Sequence, residues 1–245
     1  VADRGPALPW LPAQPVAFPP PSQAWSSPDG LLAAGGALTE PWLLAAYRQG
    51  IFPWFDDDDG PILWWSPGVR AGLVPGTMHR SRRLRRSMRK NAERWHASAD
   101  QAFDAVVAGC AAPRSYSRET WITPNMASAY SGLHRAGHAH SIEIWQDSTL
   151  IGGIYGVAIG QVFCGESMFG TLSNASKVAF CVLQAWLAVR NFAWLDVQMP
   201  TAHLESLGAR ALPRASFLDI LAEHAQAETD PRPWVLPSQL ATLQP

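Results

Sequence analysis

Cysteine is scarce. The 245 residues hold three, Cys110, Cys164 and Cys181, with no close spacing between any two. That argues against a disulfide framework or a zinc knuckle and favours reduced thiols in a cytosolic protein. Charge is thin as well. Charged residues make up 16% of the chain and the net charge is −1, so no global field draws it toward nucleic acid. No apolar run approaches the ~20 residues of a membrane span. The first residues lack the basic start and apolar core of a signal peptide. A cytoplasmic protein without a membrane segment is expected. No GxGxxG or Walker pattern occurs, which argues against a phosphate loop, and no segment repeats. What the chain has in quantity is apolar side chains, 47% of the total. That is enough for a core in one domain or two closely packed ones.

Residues 142–198 organise the chain. Runs rich in Ile, Val, Tyr, Phe and Trp between polar or Gly turns predict a meander of three strands, 141–145, 150–158 and 162–167. Apolar residues at Val178, Cys181, Val182, Trp186 and Val189 predict a helix over 176–190. A fourth strand closes the block at FAWLDVQ. Glu166, Asp196 and Gln198 are polar residues in this apolar stretch. Asp196 and Gln198 are two apart, so strand alternation puts them on one face, with Phe192 and Trp194 behind them. Such groups need partners or a task; a satisfied hydrogen-bond pair is the plain alternative. Gly152 and Gly153 sit inside a strand and predict a bulge or a close backbone approach.

The N-terminal part reads differently. Residues 1–29 are rich in Pro and predict an extended arm. Thr39 is a plausible N-cap, Pro41 sits near the first helical turn, and Gly50 ends that helix. Residues 79–90, HRSRRLRRSMRK, are the densest charge run. As a helix they align Arg82, Arg85, Arg86 and Arg89 on one side and leave Leu84 and Met88 to anchor the other. Most charge runs are solvated faces, but an Arg stripe without counter-charges also suits phosphate. His134, His138 and His140 resemble a metal cluster at first sight. Gly137 breaks the helix between them and no Cys is close, so no metal is expected. Twelve Trp are many for this length. Most belong in the core, and some can wall a pocket.

The chain resembles the leucyl/phenylalanyl-tRNA–protein transferases, bacterial aminoacyltransferases of the N-degron pathway. The matching stretches run from about residue 16 to 220 and include PDGLLAAGG, AYRQGIFPWF, PILWWSP, TWIT, LHRAGHAHSIE, GGIYGV, FCGESMF, NASK and LDVQ. Ile154 stands where members often carry Met, Leu183 where some carry Phe, and Gly170 replaces a commoner Ser. The resemblance implies an α+β chain: a small N-terminal α+β domain with its arm over 1–75, and a GNAT-like C-terminal domain over 76–245. It implies transfer of Leu or Phe, and less readily Met, from aminoacyl-tRNA to a protein with an N-terminal Arg or Lys, which marks that protein for degradation. By position, Tyr47, Trp54, Trp121, Tyr130, Ile154, Phe163, Leu183 and Leu195 would line the pocket for the amino-acid side chain and terminal adenosine. Arg82, Arg85, Arg86, Arg89 and Lys90 would meet the tRNA. No cofactor is expected, and a monomer is.

The implied chemistry suits Glu166, Asp196 and Gln198. An aminoacyl ester is already activated, so orientation supplies much of what aminolysis needs. The attacking α-amine has a pKa of about 8, which leaves a useful neutral fraction at pH 7. Gln198 is assigned to hold the amine, with Asp196 polarising or orienting it. Glu166 is assigned to the cationic acceptor side chain or the donor ammonium. Oxyanion stabilisation falls to backbone N–H groups or the ribose 2′-OH. Two other classes remain, a GNAT-like acyl-CoA transferase and a non-catalytic RNA-binding module. The first lacks its pyrophosphate turn, and the second leaves GESMF unexplained.

Overall fold

The computed structural model describes residues 7–113, 120–227 and 232–243. In chain order the elements are β1 (Trp10–Leu11), β2 (Leu31–Gly35), α1 (Glu40–Arg48), β3 (Phe52–Pro53), β4 (Leu63–Trp65), β5 (Val69–Leu73), α2 (Arg82–Asn91), β6 (Trp95–Ala99), α3 (Phe103–Ala111), α4 (Pro124–Arg135), β7 (Ala139–Gln146), β8 (Thr149–Ile159) and β9 (Val162–Gly170). Then come α5 (Ala175–Val189), β10 (Trp194–Asp196), α6 (Ala202–Ser206), β11 (Arg210–Pro213), α7 (Arg214–His224) and α8 (Ser238–Ala241). The class is α+β, as expected. The meander and its helix fall where the pattern put them, with each strand a few residues longer.

Two sheets result. The smaller has the order β1-β2-β4-β3, the larger β11-β5-β10-β9-β8-β7-β6. The larger sheet carries the meander and the helix α5 packed on it. The 75/76 divide therefore cuts differently from the sheets, because β5 precedes it yet belongs to the larger one. Within that sheet β9 and β10 are parallel neighbours joined by α5. Parallel strands cannot be joined by a tight turn, and the α5 crossover provides the return path.

Alternation along the strands separates two apolar cores. Tyr155 and Val157 face one, with Phe103, Val106, Met126 and Tyr130 of α3 and α4. Ile154 and Ala158 face the other, with Val178, Val182 and Trp186 of α5. Gly152 and Gly153 are close-approach positions. A Cβ on Gly152 would lie 2.8 Å from Ala175 Cβ, and one on Gly153 would lie 2.8 Å from Val106 Cγ2. Helices press on the sheet from both sides at this point.

The N-terminal arm is a correction. In its described part, β1 pairs in parallel with β2, and Trp42 Nε1 donates to Ala13 O at 3.0 Å. Phe18 sets its ring edge-on to Trp42 at 5.0 Å and to Trp64 at 4.9 Å. Leu11 and Phe18 supply apolar anchors that the Pro count obscures, and the arm lies down on the small sheet. Residues 1–6 of the predicted arm lie outside the described residues.

Candidate active site

The site begins with an irregularity in the sheet. Between β8 and β9, Gly156 is opposite Gly165 and Tyr155 is opposite Ser167. Glu166 is therefore an extra residue on β9, the unpaired member of a β-bulge, a device that re-aims a side chain. Gly156 is needed there, since a Cβ would sit 2.2 Å from Cys164 O.

Glu166 gathers a polar cluster. Tyr130 OH donates to Oε2 at 2.9 Å, and Gln198 Nε2 donates to Oε1 at 2.9 Å. The Tyr47 and Tyr130 hydroxyls are 2.6 Å apart. Because Tyr130 gives its proton to Glu166, Tyr47 donates to Tyr130. Burial pushes both phenols well above their usual pKa, so they act as neutral donors. Burial also raises Glu166 to about 7, against the pull of the nearby phenols and of the Gln198 amide donor. The carboxyl is thus poised near neutrality, as suits a group that handles a proton or a cation. With Nε2 committed to Glu166, Gln198 Oε1 has no partner among the described residues and can accept from an amine.

The sequence-based geometry of Asp196 and Gln198 needs correction. β10 ends at Asp196, and Gln198 has φ +63°, so the two do not share a strand face. Phe192 and Trp194 also part company, Phe192 in the α5 core and Trp194 against the other. Asp196 does not touch the Gln198 side chain. Its Oδ1 accepts the Gln198 backbone N–H at 3.2 Å and so holds the turn that presents the amide. Its main partner is Arg70 on β5, which the sequence reading missed. Arg70 Nη2 pairs with Asp196 Oδ2, Nε reaches Oδ1 at 3.4 Å, and Nη1 donates to Gly50 O at 3.2 Å. The guanidinium lies 4.6 Å from the Phe217 ring centre and 5.0 Å from that of Phe52. Burial pushes the Asp196 carboxyl up, and the Arg70 charge pulls it back. One Arg inside an apolar strand, VRAGL, was the available signal.

Glu166 also faces a cavity of ≈ 280 Å³. Of the eight expected pocket residues, Trp121 and Ile154 line it. Tyr47 and Tyr130 meet Glu166 through their hydroxyls instead. Phe163, Leu183 and Leu195 are buried in the α5 core, outside the lining. Trp54 is 41% exposed and edge-on to Trp65, also outside the lining. Met168, Phe180, Val197 and Leu204 supply apolar wall in their place. Met168 belongs to the GESMF stretch, where its position beside Glu166 was a usable cue. Alternation cannot separate a wall from a core, because both are apolar.

Comparison with known proteins decides the family. The model of the leucyl/phenylalanyl-tRNA protein transferase family matches residues 73–222, and that of its N-terminal domain matches residues 36–68. The chain belongs to this family. It is 51% identical to the leucyl/phenylalanyl-tRNA–protein transferase of Pseudomonas syringae pv. syringae (strain B728a), over 91% of this chain and 96% of that one. It is 52% identical to the Aromatoleum aromaticum protein of that name, over 93% and 94% of the two chains. For the Shewanella piezotolerans relative the identity is 50%, over 94% and 96%.

In this family member the basic run is a helix. Ser81 caps α2, its hydroxyl accepting the Leu84 N–H at 3.2 Å, and Leu84 and Met88 are buried. Arg82, Arg85, Arg86, Arg89 and Lys90 are all exposed. The His group divides. His134 and His140 approach Asp100, the three donor atoms within 4.8 Å of one another, while His138 turns to Glu40 at 3.7 Å. Existing bonds already occupy this cluster. Asp100 accepts from Ser141 N at 2.8 Å and bonds His140 Nδ1 at 2.7 Å, and His134 Nδ1 bonds Ala139 O at 2.8 Å. A metal would have to displace them. No helix among the described residues is long and apolar enough to cross a membrane.

The raised Glu166 pKa has a consequence for stability. The folded value of about 7 lies above the ordinary 4.5, so the folded chain binds more protons between them. Stability contributed by this group is intact below 4.5 and falls as pH rises, the loss being complete above about 7. The Tm of Glu166→Gln, relative to wild type, should therefore rise between pH 5 and pH 8. Melting curves across that window test it, and a constant difference would contradict a raised pKa.

Proposed function

We propose that this chain is an aminoacyltransferase that moves Leu or Phe, and less readily Met, from aminoacyl-tRNA to the α-amino group of an N-terminal Arg or Lys, marking the acceptor for degradation in the cytoplasm. Family membership gives the reaction class. The observation that carries the residue roles is the Glu166–Tyr130–Gln198 cluster on an apolar cavity, with Gln198 Oε1 open to an amine. The apolar walls take the donor side chain and adenosine. Gln198 accepts from the attacking amine and aims it at the ester carbonyl. Glu166, when ionised, attracts the acceptor's cation or the donor's ammonium. Asp196 acts from behind, fixing the Gln198 backbone, so it is a positioning residue. The ester itself drives the reaction: the C–N bond forms as the bond to the tRNA 3′-oxygen breaks, and the proton given up by the amine ends on that oxygen as the 3′-hydroxyl.

Transfer of labelled Phe from charged tRNA to a peptide beginning with Arg tests this reading. It should proceed with neither CoA nor ATP and survive EDTA. Activity only with acyl-CoA, or none with charged tRNA, would overturn it.

The α2 face belongs to the same proposal as the tRNA contact. Replacing Arg82, Arg85 and Arg86 with Ala should weaken tRNA binding and flatten its salt dependence by about 0.7–0.9 log unit per lost phosphate contact. Folding should hold, because α2 is anchored by Leu84 and Met88 on its other side. Binding at several salt concentrations decides it, and an unchanged slope would leave the run a solvated face.

A further inference from the structure

We propose that Lys177 and His203 form a subsite for the 5′-phosphate of the donor's terminal adenosine, at the rim of the cavity that holds Glu166. This rests on the transferase reading and extends it to a part of the donor that the polar cluster does not explain. Two elements bring the residues together. Phe180 of α5 is in the cavity wall, and Lys177 lies one turn before it, on the same side of the helix. His203 of α6 lines the cavity itself, between Thr201 and Leu204. The two are close enough for the Lys177 charge to act on the imidazole, which burial and that charge keep below its usual pKa. Neither makes an ion pair among the described residues.

The charge pattern matches one end of an aminoacyl nucleotide to each part of the cavity. Inside is a carboxyl, suited to an ammonium. Between are apolar walls, suited to a Leu or Phe side chain. Beside those walls are His203, whose imidazole offers a ring N–H, and Lys177, an ammonium with three donors, neither paired with an acid among the described residues. An anion is what that rim is equipped to accept, and the anionic group of an esterified terminal adenosine nucleotide is its 5′-phosphate. Charge-assisted contacts of this kind are the stronger class of hydrogen bond. The expected contribution is about tenfold in apparent affinity.

Two minimal donors test the subsite: 3′-O-phenylalanyl-adenosine and the same ester carrying a 5′-monophosphate. Each is offered to the full-length enzyme with a peptide beginning with Arg. Wild type should show a KM about tenfold lower for the phosphorylated donor. The ratio of the two KM values should shrink in Lys177→Gln and in His203→Gln and reach about one in the double variant. A general packing defect would move both KM values and leave the ratio. Equal KM values in wild type, or a ratio kept by the double variant, would overturn the subsite. If wild type uses neither minimal donor nor charged tRNA, the transferase reading itself fails, and that outcome is separate from the other two.

Discussion

Arg70→Met should destabilise the fold by about 3–5 kcal/mol, the scale of a buried charge stripped of its partner. Arg70 is 2% exposed and Asp196 is fully buried, so no water takes the place of the lost guanidinium. The bond to Gly50 O goes with it, and so does the packing on Phe52 and Phe217. Asp196 then either stays charged without a partner or takes up a proton. Either way it holds the Gln198 backbone less firmly, and transfer should fall with stability. Arg70→Met combined with Asp196→Leu separates these effects. Removing both charges should recover much of the lost stability, since a buried pair is often no better than apolar residues of similar volume. Activity should stay low in the double variant, because nothing there accepts the Gln198 N–H. Chemical denaturation of the two variants beside wild type measures the first effect and a transfer assay the second. An Arg70→Met protein as stable as wild type would show that the pair carries no weight in the fold.

Much of this site lies where sequence patterns carry little information. The meander, α5 and α2 were legible because apolar spacing repeats within each element. Glu166, Asp196 and Gln198 stood out as polar residues in an apolar block. Their geometry did not follow from alternation. Period-two reasoning assumes an unbroken strand, and at this site the chain breaks it with the bulge at Glu166 and the left-handed backbone at Gln198. Arg70 was invisible as a partner because 126 residues separate it from Asp196, and antiparallel pairing of β5 with β10 is what joins them. Phe163, Leu183 and Leu195 show the other limit. A side chain buried in the core and one lining a cavity satisfy the same apolar pattern, and only the packing of α5 and α6 around β9 separates them.

Gln198→Ala should lower the transfer rate by about 10²-fold, the scale of a lost positioning or electrostatic contact, with little change in donor affinity. The side chain is partly exposed and bonds to Glu166, so its removal costs the fold little. What disappears is Oε1, the acceptor aimed at the attacking amine. A second consequence follows from the same bond. Gln198 Nε2 favours the ionised form of Glu166, one of the contacts opposing the effect of burial. Without it the Glu166 pKa should climb above its present value of about 7. If acceptor binding needs the carboxylate, the acidic limb of kcat/KM for the peptide should move to higher pH along with the drop in rate. A purely structural role for Gln198 predicts instead a loss of activity that tracks Tm and leaves the limb in place. Asp196→Asn gives the contrast. It should lower both stability and rate, because it weakens the Arg70 pair and the hold on the Gln198 backbone together. Rates, pH profiles and melting curves on the two variants distinguish the roles. A fully folded Gln198→Ala enzyme that turns over at the wild-type rate would end the assignment.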